Sequence, residues 1–393
     1  MRVAVGIDVA KTAHWVTAID DAGTVLIDRS VANEPDAIEE LIAELRSLEG
    51  EVTIGLDVVG GIAGLAEAML AAASFRLVHV PGLAVNRARQ GTTGGEAKSD
   101  PRDARVIADQ VRTRHDLRPV ETGTEINLEL RLLVGRRRDL VDEQTRRLSR
   151  LHGLLVSIHP GLDRVLDLTT KGGLWLLTRY VTPAEIRRAG HGRLVSHLKR
   201  TGGLPSVAQL ADAALASAQA QRIAVPGERM AATIVRELAA EALAVRKRLA
   251  ELNRALEARL TRHPDAALIR SLPGMGAVLT AEFIAEAGTI RRFASADALA
   301  AAAGLAPVLR QSGKVRFLRR PTGGNKALKR VFYQAAFCSL HSPDSRAFYA
   351  RKRREGKRHH QALIALARRR INVLWAMLQR RQPYVAAAQS AAA

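Results

Sequence analysis

Hydrophobic and polar positions in the first third of the chain follow strand spacing and then alternate between helical and strand spacing. Three apolar runs bounded by polar or turn residues predict three consecutive strands: VAVGIDVA, HWVTAID and TVLIDRSV. The segment EPDAIEELIAELRSL repeats apolar residues every three or four positions, which predicts a helix. A strand, a helix and a strand follow at EVTIGLDVV, GIAGLAEAMLAAA and FRLVHVP, and a last helix is predicted from about Pro101.

This order of elements predicts the fold of the first part of the chain. Three leading strands followed by helix–strand alternation are typical of an RNase H-like fold, which is a mixed α/β layer architecture. A Rossmann unit would begin strand–helix–strand, and no GxGxxG motif follows the first strand. We therefore predict an RNase H-like domain over residues 1–118.

The middle of the chain, residues 119–262, has helical spacing. An Arg-rich amphipathic helix comes first, and ERMAATIVRELAAEALAVRKRLAELNRALEARLTRH then runs without Gly or Pro. Its residues Leu238, Val245 and Leu252 are seven apart, which predicts a coiled-coil seam on a helix roughly 50 Å long. One arm of an intramolecular helical hairpin would give the same pattern, so both interpretations stay open.

Residues 263–385 predict a third, mostly helical domain. The turn at residues 273–276, Pro-Gly-Met-Gly, lies between helical segments and resembles a helix–hairpin–helix, whose Gly amides can approach a DNA backbone. A glycine-bearing connection between two helices is the alternative. The low-complexity end of the chain, residues 386–393, is predicted to be a disordered tail.

Charge divides the chain more sharply than hydropathy does. The net charge is +21, but residues 1–110 carry a net of −7 whereas residues 301–393 carry 20 Lys and Arg against two acidic residues. Such a basic region predicts a nucleic-acid partner. A single Cys excludes a disulfide framework, and no apolar run reaches the roughly 18 residues of a membrane span, so we expect a cytoplasmic protein without a membrane partner.

Four carboxylates in the acidic region carry candidate chemistry. Asp8 ends the first strand, Asp57 ends the fourth, and Asp100 and Asp103 open the last helix in KSDPRDA. In an RNase H-like sheet the first and fourth strands are neighbours, so we expect the four to converge. Two Mg²⁺ ions would relieve their repulsion and clamp both oxygens of a phosphoryl displacement.

Each carboxylate also has a structural interpretation. Asp8 could be a turn residue, or GIDVAKT could form the first phosphate-binding turn of an actin-like sugar kinase. Asp100 could cap the helix ahead of Pro101, with Asp103 closing a capping box.

The motifs of residues 1–118 resemble those of a known group of enzymes. VGIDVAKTAHWVTAID, the strand that ends at Asp57, and KSDPRDARVIA resemble the N-terminal DEDD (RuvC-like) domain of one group of bacterial insertion-sequence transposases, the bridge-RNA-guided serine-plus-DEDD recombinases. The chain departs from the family pattern at Asp57, where the family has Glu followed by Ala-Thr-Gly and an aromatic residue. The Asp side chain is one methylene shorter.

The last third of the chain resembles the C-terminal transposase domain of the same group. The matching motifs are Ser312-Gly313 after a Gly-Leu-x-Pro turn, Gly324-Asn325, and the basic pair Lys329-Arg330. The resemblance implies that Ser312 is the nucleophile. Without it, Ser312 would be a turn serine. Basic residues expected to bind nucleic acid are Lys314, Arg316, Arg319, Arg320, Lys326, Lys329 and Arg330. Competing nucleophiles, which we predict to be packing residues, are Tyr333, Tyr349 and Tyr384.

The resemblance also implies a function. A family member would cleave and exchange strands of double-stranded donor and target DNA through a covalent phosphoserine, guided by a structured non-coding RNA. It would work near the bacterial nucleoid as a homo-oligomer, a dimer that becomes a tetramer in synapsis, with composite sites from different subunits. Two alternatives stay open: a RuvC-like metal-dependent junction nuclease, and a non-catalytic nucleic-acid-binding protein.

Overall fold

The computed structural model divides the chain into two compact units, Met1–Thr122 and Gly123–Ala393. The structure describes residues 1–91, 99–120, 124–204 and 206–386. All but the first residue of the predicted disordered tail lies outside these ranges. The further division predicted near residue 262 stays a prediction.

The first unit is a six-stranded mixed sheet with helices. Its strands are β1 Arg2–Asp8, β2 Ala13–Ile19, β3 Val25–Ala32, β4 Glu51–Leu56, β5 Arg76–His79 and β6 Arg118–Pro119. Its helices are α1 Pro35–Ser47, α2 Gly64–Ala72, α3 Gly82–Gln90 and α4 Asp100–Thr113. The predicted mixed α/β architecture is confirmed.

The strand order is β3-β2-β1-β4-β5-β6, with β1 antiparallel to β2 and parallel to β4. The first and fourth strands are therefore neighbours, as the carboxylate prediction required. Strands β1 and β4 are buried because their apolar runs form the core of this unit, with Val5, Ile7, Ile54 and Leu56 almost fully buried. Helix α3 and the two-residue strand β6 were not predicted.

The second unit is mostly helical, as predicted. Its helices are α5 Glu125–Ile158, α6 Pro160–Val165, α7 Lys171–Leu177, α8 Pro183–Lys199, α9 Val207–Ala220, α10 Glu228–Leu260, α11 Ala266–Ser271, α12 Ala277–Ala287, α13 Ala296–Ala302, α14 Lys326–Cys338, α15 Pro343–Arg354 and α16 His359–Arg380. A two-stranded hairpin, β7 Val308–Ser312 with β8 Val315–Arg319, interrupts them.

Two separate hydrophobic cores hold this unit together. One lies among the C-terminal half of α5, α6 to α9 and the N-terminal half of α10, and the other lies among the opposite halves of α5 and α10 and α11 to α16. Of the predicted seam residues of α10, Val245 is buried and Leu238 and Leu252 are half-buried, and α10 packs along α5 of the same chain. The structure therefore shows the intramolecular alternative, and a dimerising coiled coil stays a prediction. None of the described helices has the length and hydropathy that a membrane span requires.

Candidate functional site

Two paired glycines bring helix α4 against the sheet of the first unit. Gly6 of β1 lies opposite Gly55 of β4. A Cβ atom on Gly6 would clash with the backbone of Ala104 and Ala108, and one on Gly55 would lie 2.9 Å from Ile107 Cγ2. Since any side chain here would push the helix away, the two glycines set the distance between α4 and both strands.

The same geometry brings three of the predicted carboxylates to one end of the sheet. Successive side chains alternate across a strand, so Asp8 and Asp57 lie on the face that Gly6 and Gly55 present to α4. Helix α4 runs antiparallel to β1, because Ala108 packs with Ala4 near the start of that strand. Its first turn, which carries Asp103, therefore lies at the strand ends beside both aspartates. Asp100, one turn earlier, is exposed.

Hydrogen bonds hold Asp57 in this group against the repulsion of a like charge. The Val9 N–H donates to Asp57 Oδ1 at 3.2 Å, and His79 Nε2 lies 3.3 Å from the Asp57 backbone oxygen. Burial raises the pKa of the Asp57 carboxyl, and the negative charge of Asp103 raises it further. Two carboxylates thus repel each other at the end of the sheet.

Asp103 is the most enclosed of the predicted acids, at 6% exposure. Arg89 of α3 lies against it: Nη1 is 3.3 Å from Oδ2, to which it donates, and 3.2 Å from Oδ1. Asp103 Oδ1 is buried and accepts no hydrogen bond from the described residues. Arg89 was missed by the sequence analysis, because its contact depends on how α3 packs on α4.

The predicted four-carboxylate centre does not form a ready metal site. In the described ranges no three Asp, Glu, His or Cys side chains are grouped as metal ligands. Asp100 points to solvent, and Arg89 already neutralises part of the charge on Asp103. The donor set nevertheless fits a hard divalent cation. It consists of carboxylates, it includes a buried oxygen that accepts no hydrogen bond within the described ranges, and it places Asp57 near the like charge of Asp103.

Ser312 lies at the end of an exposed hairpin in the second unit. It pairs with Val315 across the two-residue turn Gly313-Lys314, and Gly313 has a φ of 53°, as the first turn position of such hairpins prefers. All ten strand residues are exposed. The predicted basic residues Lys314, Arg316, Arg319 and Arg320 are all exposed on this hairpin or beside it.

Strand alternation sorts the arginines around the serine. Arg310 lies two residues before Ser312 and shares its face of the hairpin, as does Arg319, whereas Arg316 lies on the opposite face. Arg310 was missed, although the strand alternation of VLRQS could have identified it. No described residue forms a hydrogen bond with the Ser312 hydroxyl.

Two family models match this chain. A model for the DEDD transposase domain of IS110, described as Transposase, matches residues 5–160, and one described as Transposase IS116/IS110/IS902 family matches residues 266–350. A curated relative, the Insertion element IS900 uncharacterized 42 kDa protein of Mycobacterium paratuberculosis, is 43% identical over 99% of this chain and 98% of its own.

The chain belongs to the IS116/IS110/IS902 family of transposases. A second relative, the Insertion element IS116 uncharacterized 44.8 kDa protein of Streptomyces clavuligerus, is 40% identical over 96% of this chain and 95% of its own. A solved structure of Thermus thermophilus RuvC with a Holliday junction substrate matches 30% of this chain and all of its own, at 16% identity. Its TM-score of 0.24 is too low to support an inference about this transposase.

One predicted binding residue of the transposase, Arg330, and the motif residue Asn325 have partners inside the protein. Arg330 forms an ion pair with the buried Glu282 at 2.9 Å. Asn325 caps α14 by accepting from the N–H groups of Ala327 and Leu328, and it donates to Glu286. Asn325 therefore ties the start of α14 to α12. Lys326 is exposed and Lys329 is half-buried.

The competing tyrosines do more than pack. The Tyr333 hydroxyl lies 2.7 Å from His360 Nδ1, and the Tyr349 hydroxyl lies 2.8 Å from His359 Nδ1. A hydroxyl hydrogen-bonded to an imidazole has the geometry of an activated nucleophile. These two pairs are the structural rivals of Ser312.

The glycine turn between α11 and α12 faces protein. Gly274 has a φ of 83°, and a Cβ there would lie 2.9 Å from the Ser339 backbone nitrogen at the end of α14. Arg370 donates a hydrogen bond to the neighbouring Pro273 oxygen. The close backbone approach at Gly274 is therefore made to α14, which favours the helix-connection interpretation of this turn.

Proposed function

We propose that this transposase cleaves and rejoins donor and target DNA by transesterification at phosphorus, with Ser312 as the nucleophile and Asp8, Asp57 and Asp103 as metal ligands. The observation that carries the proposal is that the first unit holds a group of carboxylates, whereas the second holds an exposed serine among arginines. An acidic group, Asp8, Asp57 and Asp103, lies at the end of the first unit's sheet, where Asp103 raises the pKa of Asp57, and an exposed hydroxyl lies among guanidinium groups on the hairpin. Phosphoryl transfer needs both a nucleophile and stabilisation of phosphate charge.

The serine step conserves the number of phosphoester bonds. Ser312 Oγ forms a bond to phosphorus while one P–O bond of the strand breaks, and the serine proton ends on the departing hydroxyl. Attack by a hydroxyl of a second strand then restores the serine, so no ATP is consumed. Arg310 and Arg319, on the same face as Ser312, would stabilise the charge on the phosphate oxygens.

The acidic group would hold Mg²⁺. When bound, the cation would neutralise charge on the phosphate and activate an oxygen for attack or departure. The chain's own residues prepare this site: the Val9 N–H orients Asp57, and Arg89 holds Asp103 against α3.

We further propose a structured guide RNA and a homo-oligomeric assembly as partners. The support for the RNA and the assembly is the sequence resemblance. The support for a large nucleic-acid surface is the basic last 93 residues, with 20 Lys and Arg against two acids.

The experiment follows strand cleavage and covalent capture on DNA that carries the element's ends. Wild-type protein with Mg²⁺ should cleave and should leave protein attached to DNA under denaturing conditions. Ser312→Ala should lose the attached species, whereas Gln311→Ala, on the other face of the same strand, should keep it. Attached protein at wild-type levels in Ser312→Ala would contradict the assignment of the nucleophile.

A metal-dependent junction nuclease is the second candidate, because no described residue hydrogen-bonds to Ser312 and so no base is in place on the hairpin. In that case Asp8→Asn would abolish cleavage, Ser312→Ala would cleave normally, and no protein would be attached to the DNA.

A further inference from the structure

An arginine-lined cavity lies between α15, α16 and the segment after α16, all within the second unit. Its volume is about 890 Å³, within the range of about 300–1,000 Å³ of small-ligand pockets. Five arginines line it: Arg351, Arg354, Arg369, Arg370 and Arg380. Among the described lining residues Asp344 is the one acid, and it accepts a hydrogen bond from Tyr384 at 2.9 Å. The cavity therefore carries a large excess of positive charge.

Arg370 is the most enclosed of these arginines, at 4% exposure. It donates to the Pro273 oxygen, but its Nε is buried and has no hydrogen-bond partner within the described ranges. Burial lowers the pKa of the guanidinium to about 10. A buried cation with an unused donor is costly, and an anionic ligand in the cavity would offset part of that cost.

An aromatic ring organises two further arginines. The guanidinium carbons of Arg351 and Arg369 lie 5.0 and 4.9 Å from the centroid of the Phe348 ring. A guanidinium near an aromatic ring can interact through its flat face, which leaves the N–H edge available to oxygen ligands. Paired N–H donors in a fixed plane match the oxygens of a phosphate.

Counter-charges from the protein are sparse here. Arg351 reaches Glu355 at 3.8 Å, which is a weak contact at the surface. No ion pair with a described acidic residue is formed by the other four arginines of the cavity, Arg354, Arg369, Arg370 and Arg380. The neighbouring Arg368, which does not line the cavity, is paired with Asp297. Four of the five cavity arginines thus have no ion pair with a described acidic residue, unlike Arg368 beside them.

We propose that this cavity binds the backbone of a single nucleic-acid strand, with the five arginines on successive phosphodiester oxygens. The proposal rests on the proposed function, because it takes nucleic acid as the substrate class, but the site includes neither Ser312 nor the acidic group. Its volume of about 890 Å³ can hold part of one strand and is too small to enclose a duplex. DNA and RNA share the phosphodiester chemistry and are separated by the experiment.

The test compares two pairs of substitutions in the full chain. Arg354→Gln with Arg369→Gln removes two cavity guanidiniums, and Arg346→Gln with Arg353→Gln removes two charges from α15 outside the cavity. Binding of a labelled 20-nucleotide single strand, as DNA and as RNA, is measured against salt. Each lost phosphate contact should lower the slope of log affinity against log salt by about 0.7, so the cavity pair should lose about 1.4.

Affinity of the cavity pair should fall about tenfold or more at low salt, on whichever strand type the cavity takes, and the control pair should lose clearly less. A 5-iodouracil oligonucleotide should photo-cross-link to Tyr384 or Phe348 in wild type and lose that cross-link in the cavity pair. Equal losses in both pairs, or binding by the cavity pair at wild-type strength, would overturn the proposal.

The two proposals can fail separately. If the cavity pair binds normally while wild type still forms the covalent adduct, the cavity assignment is wrong and the proposed function stands. If the cavity pair loses binding but wild type never attaches to DNA, the cavity assignment stands and the proposed function is wrong.

Discussion

Gly6→Ala perturbs the acidic group without touching a carboxylate. The added Cβ would lie inside 3.0 Å of the Ala104 and Ala108 backbone and 3.0 Å from Ile107 Cβ, whereas ordinary contact begins at 3.4 Å. Because two of the three neighbours are helix backbone, no rotamer change relieves the clash, and α4 must retreat by about 1 Å. Overpacking of this kind costs about 1–3 kcal/mol. The retreat also carries Asp103 away from Asp8 and Asp57, and a misplacement of about 1 Å can cost about 100-fold in rate.

Hydrogen–deuterium exchange of peptides from β1 and α4 measures the loss of stability that the added Cβ causes. A loss of about 1–3 kcal/mol should speed their exchange by roughly 5- to 150-fold, and metal-dependent cleavage should fall by about 100-fold. Gly64→Ala is the matched control, because its Cβ would meet no atom within 4 Å. Wild-type exchange and cleavage in Gly6→Ala would refute the claim that α4 positions Asp103.

Three shorter predictions concern single charges. Asp8→Asn should abolish cleavage while leaving nucleic-acid affinity within a few-fold of wild type, and cleavage by wild type in excess EDTA would contradict the metal requirement. Asp57→Glu should stay active, because the family pattern has Glu there, whereas Asp57→Ala should be inactive; full activity in Asp57→Ala would show that Asp57 is dispensable. Arg330→Ala should lower the free energy of unfolding by about 2–3 kcal/mol, because it strands the buried Glu282, whereas the exposed Lys326→Ala should be neutral in urea titrations.

Local spacing predicted most of the first unit. The strands ending at Asp8 and Asp57 and the helix from Asp100 lie where the apolar runs and the Ser-Asp-Pro sequence predicted them, because these signals are local. The Arg89–Asp103 pair could not be predicted, since it joins two helices through their packing. The sequence therefore predicted the candidate acidic residues but not the guanidinium of Arg89 that pairs with Asp103.

The second unit shows the converse limit. The heptad spacing around Val245 is the same whether the partner helix belongs to the same chain or to another. In the structure the partner is α5 of the same chain. The strand character of residues 308–319 was hidden by Arg and Gly, so Ser312 was placed in a turn rather than at a strand end. The Tyr–His hydrogen bonds could not be predicted from local spacing, because Tyr333 and His360 are 27 positions apart.

Identification of the residue that becomes covalently attached to DNA tests the central claim most directly. Wild-type protein would be incubated with end-containing DNA and Mg²⁺, the attached DNA digested to a nucleotide remnant, and the modified peptide sequenced by mass spectrometry. The account predicts a single phosphoester on Ser312, absent in Asp8→Asn. A remnant on Tyr333 or Tyr349, each already hydrogen-bonded to a histidine, or cleavage without any attached peptide, would contradict it.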